Sequence, residues 1–211
     1  MGRLFVKICG ITTLDDAIAA AEHGADAVGF NFYQLSRRYI LPDHAAAILE
    51  RLPAGVLRVG VFVSPEREYV NAILQSNKLS GLQFSGNELP AAVSGYTLPV
   101  FKTIHVASMD SIVDMKSFQV DAFLLDTFGD GDFGGTGKTF DWNIASKAKQ
   151  YGKVILAGGL TPENIADAVR KVEPYGVDVS SGVEISPGIK DHKKIKEFIT
   201  RAREANSAFI E

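Results

Sequence analysis

The sequence is poor in the residues that build metal centres, disulfide frameworks and membrane spans. It has one cysteine, Cys9, and four scattered histidines without a ligand-like spacing. This excludes an internal disulfide and argues against a structural metal site. No stretch reaches the ~18 consecutive apolar residues of a membrane span, and the N-terminus lacks the long apolar segment of a signal peptide. We therefore expect a cytoplasmic protein with no membrane partner.

A large excess of charge of one sign is also missing. The chain has 22 basic and 25 acidic residues, with a formal net charge of −3. Nucleic-acid-binding surfaces usually carry a basic stripe, so we expect no nucleic-acid partner. The 211 residues are 46% hydrophobic, which is enough to bury a core without metal or disulfide staples.

Short apolar runs typical of strands alternate with helical segments along the whole chain. The eight runs begin near Leu4, Asp26, Arg58, Gly81, Val100, Asp121, Lys153 and Gly176. Strands that alternate with helices form a parallel sheet, and eight short units fit a compact barrel. An open doubly wound sheet would more often have fewer strands at this length. We predict an α/β protein, a (β/α)8 TIM barrel that forms a single domain over residues 1–211.

The ends of the last two strands are rich in glycine and serine. Gly158 and Gly159 follow the seventh run, and Ser181 and Gly182 follow the eighth. Barrels build their sites at the C-terminal ends of the strands and commonly bind phosphate on backbone N–H groups at this pair of strands. Turn chemistry alone would explain either loop equally well, but the two together favour a phosphate ligand.

The loop after the sixth run contains two sequences that resemble nucleotide-binding motifs. Residues 129–134 match GxGxxG, but no helix begins directly after them, and Asp130 and Asp132 would repel a pyrophosphate. Residues 137–139 resemble the end of a P-loop, whose first glycine is replaced by Asp132. We reject both motifs, predict no cofactor, and interpret residues 127–140 as a mobile loop over the site.

Two ionisable side chains end strands on opposite sides of the predicted barrel. Cys9 ends the first run and Asp126 ends the sixth. A lone cysteine is most often a small buried hydrophobe, and an aspartate can simply cap a loop. The functional alternative is a thiol of lowered pKa that acts as a base, opposite a carboxyl whose apolar surroundings make it a general acid. With a phosphate bound nearby, this pair suits proton transfer on a sugar phosphate.

Taken together, these segments resemble the phosphoribosylanthranilate isomerase family along nearly the whole chain. The matching stretches are Val6–Thr12, Gly24–Phe30, Ser36–Ile40, Arg58–Val63, Leu124–Asp126, Gly134–Trp142, Gly158–Asn164 and Val177–Glu184. The resemblance implies a cofactor-free Amadori rearrangement of N-(5-phosphoribosyl)anthranilate to 1-(2-carboxyphenylamino)-1-deoxyribulose 5-phosphate, a step in tryptophan biosynthesis.

The resemblance also assigns roles to individual residues. Cys9 matches the general base of the family and Asp126 the general acid. Arg38 matches the position that binds the anthranilate carboxylate, and Asp178 is expected either to orient the substrate or to cap a turn. One motif departs from the family pattern: the usual Leu-Gln-Leu-His-Gly reads Leu-Gln-Phe-Ser-Gly here, which puts Ser85 where the family has histidine.

Two other functions fit parts of the same pattern. A related isomerase of the histidine pathway uses two aspartates for this chemistry, and Cys9 at the first strand argues against it. A catalytically silent barrel that binds a sugar phosphate is compatible with Ser85 and the acidic loop. The isomerase interpretations predict a small-molecule sugar-phosphate substrate, and the silent barrel predicts a ligand of the same kind. The sequence leaves open whether the protein is a monomer or a homodimer.

Overall fold

The structure is a computed structural model that describes residues 2–127 and 140–207. The segment predicted to be a mobile loop, together with its two rejected nucleotide motifs, lies outside the described residues apart from Thr127 and Phe140. The single-domain organisation over residues 1–211 stays a prediction. No helix within the described ranges is long and apolar enough to cross a membrane.

Eight parallel strands close into one barrel, which confirms the predicted fold class. The strands are β1 (Phe5–Cys9), β2 (Ala27–Asn31), β3 (Leu57–Phe62), β4 (Gly81–Phe84), β5 (Val100–Val106), β6 (Ala122–Thr127), β7 (Val154–Leu156) and β8 (Gly176–Val179). Each pairs with the next in chain order, and β8 pairs with β1 to close the ring.

Helical segments follow the strands and cover the outside of the barrel. The α-helices are α1 (Leu14–Glu22), α2 (Pro42–Leu49), α3 (Arg67–Ser76), α4 (Pro90–Val93), α5 (Trp142–Ala148), α6 (Ile165–Val172) and α7 (His192–Ser207). Local chemistry sets several starts. The Thr13 hydroxyl accepts a hydrogen bond from the N–H of Asp16 and caps α1, and Pro42 occupies the first turn of α2, where its missing N–H costs nothing.

Two units depart from the regular pattern. The segment after β4 forms only the single turn α4, and the segment after β5 is a 3₁₀ helix, Met109–Ser117. The loop after β8 contains a small antiparallel hairpin, β9 (Glu184–Ser186) and β10 (Ile189–Lys190), which the sequence pattern does not predict. This hairpin matters for the site because it brings two charged side chains to the barrel mouth.

The barrel interior is divided into an apolar lower part and a polar upper part. Inward-facing side chains form a separate buried cluster that lies mainly in the lower part, although Leu124 and Ala157 reach the candidate site: Ala27, Val59, Phe101, Ala122, Leu124, Ile155 and Ala157. A second, larger apolar layer fills the space between strands and helices. Above the lower cluster, at the C-terminal ends of the strands, the inward-facing residues become polar, and this is where the candidate site lies.

Candidate active site

A cleft opens at the C-terminal ends of the strands, where the barrel fold predicts it. It has a volume of about 560 Å3, counted out to its open mouth. The side chains predicted to be the base, the acid and the carboxylate-binding arginine all line it. Its polar and charged lining residues are Cys9, Asn31, Ser36, Arg38, Gln83, Ser85, Thr103, His105, Asp126, Asp178 and Ser180.

Cys9 ends β1 and points into the barrel, half-buried at the floor of the cleft. Burial raises the pKa of its thiol, since a thiolate loses water there. The positive charge of Lys7 opposes this rise without cancelling it, so the pKa lies above its ordinary value. Burial thus works against the lowered pKa that a thiolate base would have, and the neutral thiol predominates near pH 7.

Asp126 ends β6 and faces the same cleft. Its Oδ1 accepts a hydrogen bond of 2.7 Å from the N–H of Thr127, which fixes the carboxyl group. Burial raises the pKa of Asp126 to about 6, and the charge of His105 works against this rise. A carboxyl of this pKa holds a proton far more often than an exposed aspartate, as a general acid requires.

His105 is the one histidine of the four in the chain that lines the cleft. It lies on β5 in register with Asp126 on the neighbouring strand. Its Nε2 is 2.9 Å from the backbone oxygen of Ser85. A carbonyl oxygen only accepts hydrogen bonds, so Nε2 carries a proton in either charge state of the ring. The cleft thus has its imidazole on β5, next to Ser85, the position at which the family pattern has histidine.

Ser85 is buried in the wall of the cleft and bonded to its neighbours. Its hydroxyl lies 2.8 Å from that of Thr103 and accepts a hydrogen bond of 3.0 Å from Nε2 of Gln83. These three side chains form a neutral polar patch on the wall between β4 and β5. Serine at this position is therefore part of a hydrogen-bonded wall of the cleft.

Arg38 reaches the cleft from the segment after β2 and is held by an ion pair. Its Nε and Nη2 donate hydrogen bonds of 2.8 Å to the two carboxylate oxygens of Glu184. Lys190 donates a third, also of 2.8 Å, to Oε1 of Glu184. Burial raises the pKa of Glu184, but the hydrogen bond from Arg38 and the charge of Lys190 outweigh it and hold the pKa below its ordinary value.

Glycine at position 10 lets Arg38 cross the end of β1. Gly10 has a φ of +75°, and an added Cβ would lie 2.5 Å from Cδ of Arg38 and 2.9 Å from the hydroxyl of Ser180. Any side chain at position 10 would be strained and would displace the arginine. Because Gly10 has no side chain, the guanidinium of Arg38 can lie over the cleft.

The loops after β7 and β8 form a smaller pocket of about 290 Å3 that adjoins the main cleft. Gly158, Gly159 and Ser181 line it, and Asp126 and Asp178 line both spaces. Gly182 packs behind the pocket, where an added Cβ would meet the backbone oxygen of Leu160 at 1.9 Å. The structure brings all four predicted phosphate-binding residues to this end of the barrel.

Asp178 forms a buried ion pair that joins the first and last strands. Its Oδ1 accepts a hydrogen bond of 2.8 Å from Nζ of Lys7, and the two residues are in register across β8 and β1. Removing one partner of such a buried pair typically costs about 3–5 kcal/mol, because the other charge is left without compensation. The carboxyl group of Asp178 is thus part of the cleft wall and does not cap a turn.

Four charged or titratable residues of the site are not predicted from the sequence. They are Lys7, His105, Glu184 and Lys190. The alternation of β1 gives a usable signal for Lys7, because residues two apart on a strand share a face and Cys9 faces the cleft. Glu184 and Lys190 depend on a hairpin and on contacts across the sequence, which no local pattern shows. Within residues 2–127 and 140–207, no group of three or more metal-ligating side chains converges.

Comparison with known proteins identifies the family. The sequence model described as "N-(5'phosphoribosyl)anthranilate (PRA) isomerase" matches residues 6–201. The chain belongs to this family. An N-(5'-phosphoribosyl)anthranilate isomerase of Geobacter sp. (strain M21) is 48% identical over 198 residues, which cover 94% of this chain and 97% of that protein.

Solved structures of PRA isomerases agree in fold and length. The enzyme of Thermotoga maritima is similar with a TM-score of 0.88 and 41% identity, covering 95% of this chain and 99% of that one. A PRA isomerase in complex with reduced 1-(o-carboxyphenylamino)-1-deoxyribulose 5-phosphate has a TM-score of 0.85 and 39% identity, with the same coverage. The resemblance that the sequence motifs indicate is therefore confirmed.

Proposed function

We propose that this chain is an N-(5'-phosphoribosyl)anthranilate isomerase of tryptophan biosynthesis. It converts its substrate by an Amadori rearrangement to 1-(2-carboxyphenylamino)-1-deoxyribulose 5-phosphate. One observation carries the proposal: Cys9 and Asp126, from the first and sixth strands, line one cleft that adjoins the glycine-rich pocket at β7 and β8. Family membership supports the same reaction.

The reaction needs one acid and one base at different atoms of the ribose. Asp126 gives its proton to the ring oxygen, the bond from that oxygen to C1′ breaks, and a Schiff base forms. Cys9, as thiolate, then removes the proton from C2′, which gives an enolamine. The enolamine becomes the ketone when C1′ gains a proton and the C2′ hydroxyl loses one, and these two transfers return Cys9 to the thiolate and Asp126 to the acid. General acid and base catalysis of this kind contributes typically 10²–10⁴-fold each.

The pKa values of the two groups determine which form of the enzyme reacts. The pKa of Asp126 is about 6, whereas burial holds the pKa of Cys9 above its ordinary value. Between the two, most molecules carry a carboxylate and a neutral thiol. The reactive form carries the reverse, a carboxylic acid and a thiolate. The fraction of molecules in this reactive form does not change with pH between the two pKa values. The two forms hold the same number of protons and differ only in whether the proton is on Asp126 or on Cys9.

Substrate binding uses both ends of the cleft. Backbone–backbone hydrogen bonds within residues 2–127 and 140–207 do not use the N–H groups of Gly158, Gly159, Ser181 or Gly182. These donors suit the phosphate oxygens. Glu184 occupies the Nε edge of Arg38, so the opposite edge of the guanidinium is the one offered to the anthranilate carboxylate. The substrate is a small phosphorylated sugar compound in this proposal, and no cofactor takes part.

The test is a fluorescence assay for loss of phosphoribosylated anthranilate. We expect Cys9→Ala and Asp126→Asn each to lower kcat by at least about 10²-fold while phosphate-ligand binding is retained. Asp121→Asn is the matched control, since Asp121 directly precedes the opposite end of the same strand and its carboxylate accepts a hydrogen bond from the N–H of Val100. A Cys9→Ala variant with wild-type turnover would remove the proposed base. Binding of a product analogue without turnover by the wild-type protein would favour a silent binder.

Two further parts of the proposal concern the state of the protein. We place it in the cytoplasm, as the sequence predicts, and expect either a monomer or a homodimer. Light scattering coupled to size-exclusion chromatography distinguishes these two masses.

A further inference from the structure

Lys7 is a buried cation that the proposed reaction does not use. It precedes Cys9 by two residues on β1, so both side chains face the barrel interior. Its side chain is 0% exposed. Lysine is almost never fully buried unless it is paired, and a lysine at this depth has no role in solubility. Its place directly beside the proposed base calls for a chemical explanation.

The ammonium group and the sulfur converge over a glycine of the neighbouring strand. A Cβ added to Gly29 on β2 would lie 2.8 Å from Sγ of Cys9 and 3.1 Å from Nζ of Lys7. The side chains of Cys9 and Lys7 occupy the space that a side chain at position 29 would need, so glycine at this position lets them meet. Asp178, from β8 on the other side, holds the ammonium at 2.8 Å.

This surrounding keeps Lys7 charged. Burial by itself lowers the pKa of Lys7, but Asp178 and Cys9 together raise it above its ordinary value. A fixed positive charge in a site with little water favours an anion beside it far more than it would in solution. Two neighbouring groups can become anions during the reaction, the thiol of Cys9 and the carboxyl of Asp126, and Lys7 favours the anion of each. The thiol is the group that shares the space over Gly29 with the ammonium.

Other charges also face Cys9 from the surrounding elements. Asp178 on β8 disfavours the thiolate, and Lys190 on β10 favours it. Arg38, from the segment after β2, also interacts with the thiolate. Among the charged groups around Cys9, Lys7 has the largest effect. The balance of these groups around the sulfur is positive, and Lys7 is its main source.

We propose that Lys7 is a positioning residue of the reaction, whose ammonium group stabilises the thiolate of Cys9 while that sulfur removes the substrate proton. Gly29 provides the space in which the two side chains meet. The effect of Lys7 on turnover rests on the proposed function, since it acts through Cys9. Its effect on the ionisation of Cys9 does not, because ionisation is measured without substrate.

The test is the pH dependence of alkylation by iodoacetamide. Cys9 is the only cysteine of the chain, so the rate of alkylation reports its thiolate alone. We expect Lys7→Met to raise the midpoint by at least about one pH unit, which lowers the thiolate fraction about tenfold at neutral pH. We expect kcat to fall by about the same factor, with KM changed less than about twofold.

Lys102→Met is the matched control. Lys102 is also buried, on β5, and is paired with Glu88 at 2.9 Å, but it contacts the backbone oxygens of Gly86 and Thr103 and does not line the cleft. We expect its alkylation midpoint to equal that of the wild type. A similar shift in Lys102→Met would mean that loss of any buried lysine disturbs Cys9, and it would overturn the proposal.

A double variant covers the case in which Lys7→Met does not fold. Lys7→Met with Asp178→Asn removes both charges, and we expect a smaller shift of the same sign, because Lys7 outweighs Asp178 at the sulfur. An unchanged midpoint in either folded variant would overturn the role of Lys7 and leave the isomerase proposal standing. A raised midpoint with unchanged kcat would overturn both the role of Lys7 in turnover and that of Cys9 as base.

Discussion

Glu184 holds one edge of the Arg38 guanidinium, with both hydrogen bonds at 2.8 Å. The two residues are 146 positions apart and belong to loops that follow β2 and β8. The ion pair therefore joins distant parts of the sequence across the end of β1, the strand that lies between β2 and β8. It occupies the Nε edge of the guanidinium and fixes the orientation of the opposite edge.

This geometry predicts that Arg38 and Glu184 act on binding. We expect Arg38→Ala to raise KM by about tenfold or more with a smaller change in kcat, since a charge-assisted hydrogen bond contributes about 1.5–3 kcal/mol. Glu184→Gln is expected to raise KM in the same direction by a smaller factor. Arg37→Ala, at an exposed neighbouring position, is the control. Equal affinity of the wild type for analogues with and without the carboxylate would contradict the assignment.

The two pKa values predict the pH profile of kcat/KM. Asp126 has a pKa of about 6, and protonation of both groups at low pH leaves no thiolate. The rate should therefore rise with pH up to a midpoint near 6, stay level, and fall only when pH passes the raised pKa of Cys9. Steady-state rates between about pH 4.5 and 10.5 test this. A profile that peaks below pH 6 would contradict it.

His105 is expected to set the position of the acidic limb. Its charge lowers the pKa of Asp126, so His105→Gln should raise that pKa and move the limb to higher pH. Glutamine retains an N–H donor for the Ser85 carbonyl, which separates the loss of charge from the loss of the hydrogen bond. The measurement is the same pH profile, read beside that of the wild type. A limb displaced to lower pH would refute the prediction.

Gly182 is expected to be essential for the shape of the phosphate pocket. A Cβ there would lie 1.9 Å from the backbone oxygen of Leu160, so Gly182→Ala must move one of the two loops. We expect KM to rise about tenfold or more and inorganic phosphate to compete more weakly with the substrate. The unfolding free energy should fall by about 1–3 kcal/mol. Gly55→Ala is the control, because nothing lies within 4 Å of an added Cβ there. Unchanged phosphate competition in Gly182→Ala would argue against the pocket.

The fold and the positions of the main site residues follow from local sequence patterns. Eight alternating units specify the barrel, and the barrel places the ends of its strands around one cleft. The sequence alone is therefore enough to assign Cys9 and Asp126 to this cleft. Positions at strand ends are predictable because register and alternation fix which side chains face inward.

The surroundings of those residues could not be predicted, because they depend on distant contacts. The direction of the Cys9 pKa shift depends on how deeply the thiol is buried, and burial is a property of the assembled barrel. The pairing of Glu184 with Arg38 requires the hairpin after β8, whose short strands carry little pattern. The regular helix expected after β5 is a 3₁₀ helix instead, since tertiary packing overrides weak local preference.

The ring of strands closes where β8 meets β1, and the site spans that junction. The first strand brings Cys9 and Lys7, and the last brings Asp178. A nascent chain that still lacks its final strand has neither the cleft nor the partner for its buried ammonium, so we expect it to be inert however much helix it has formed. The chain therefore becomes active only late in its synthesis. After denaturation, turnover should recover when β8 pairs with β1.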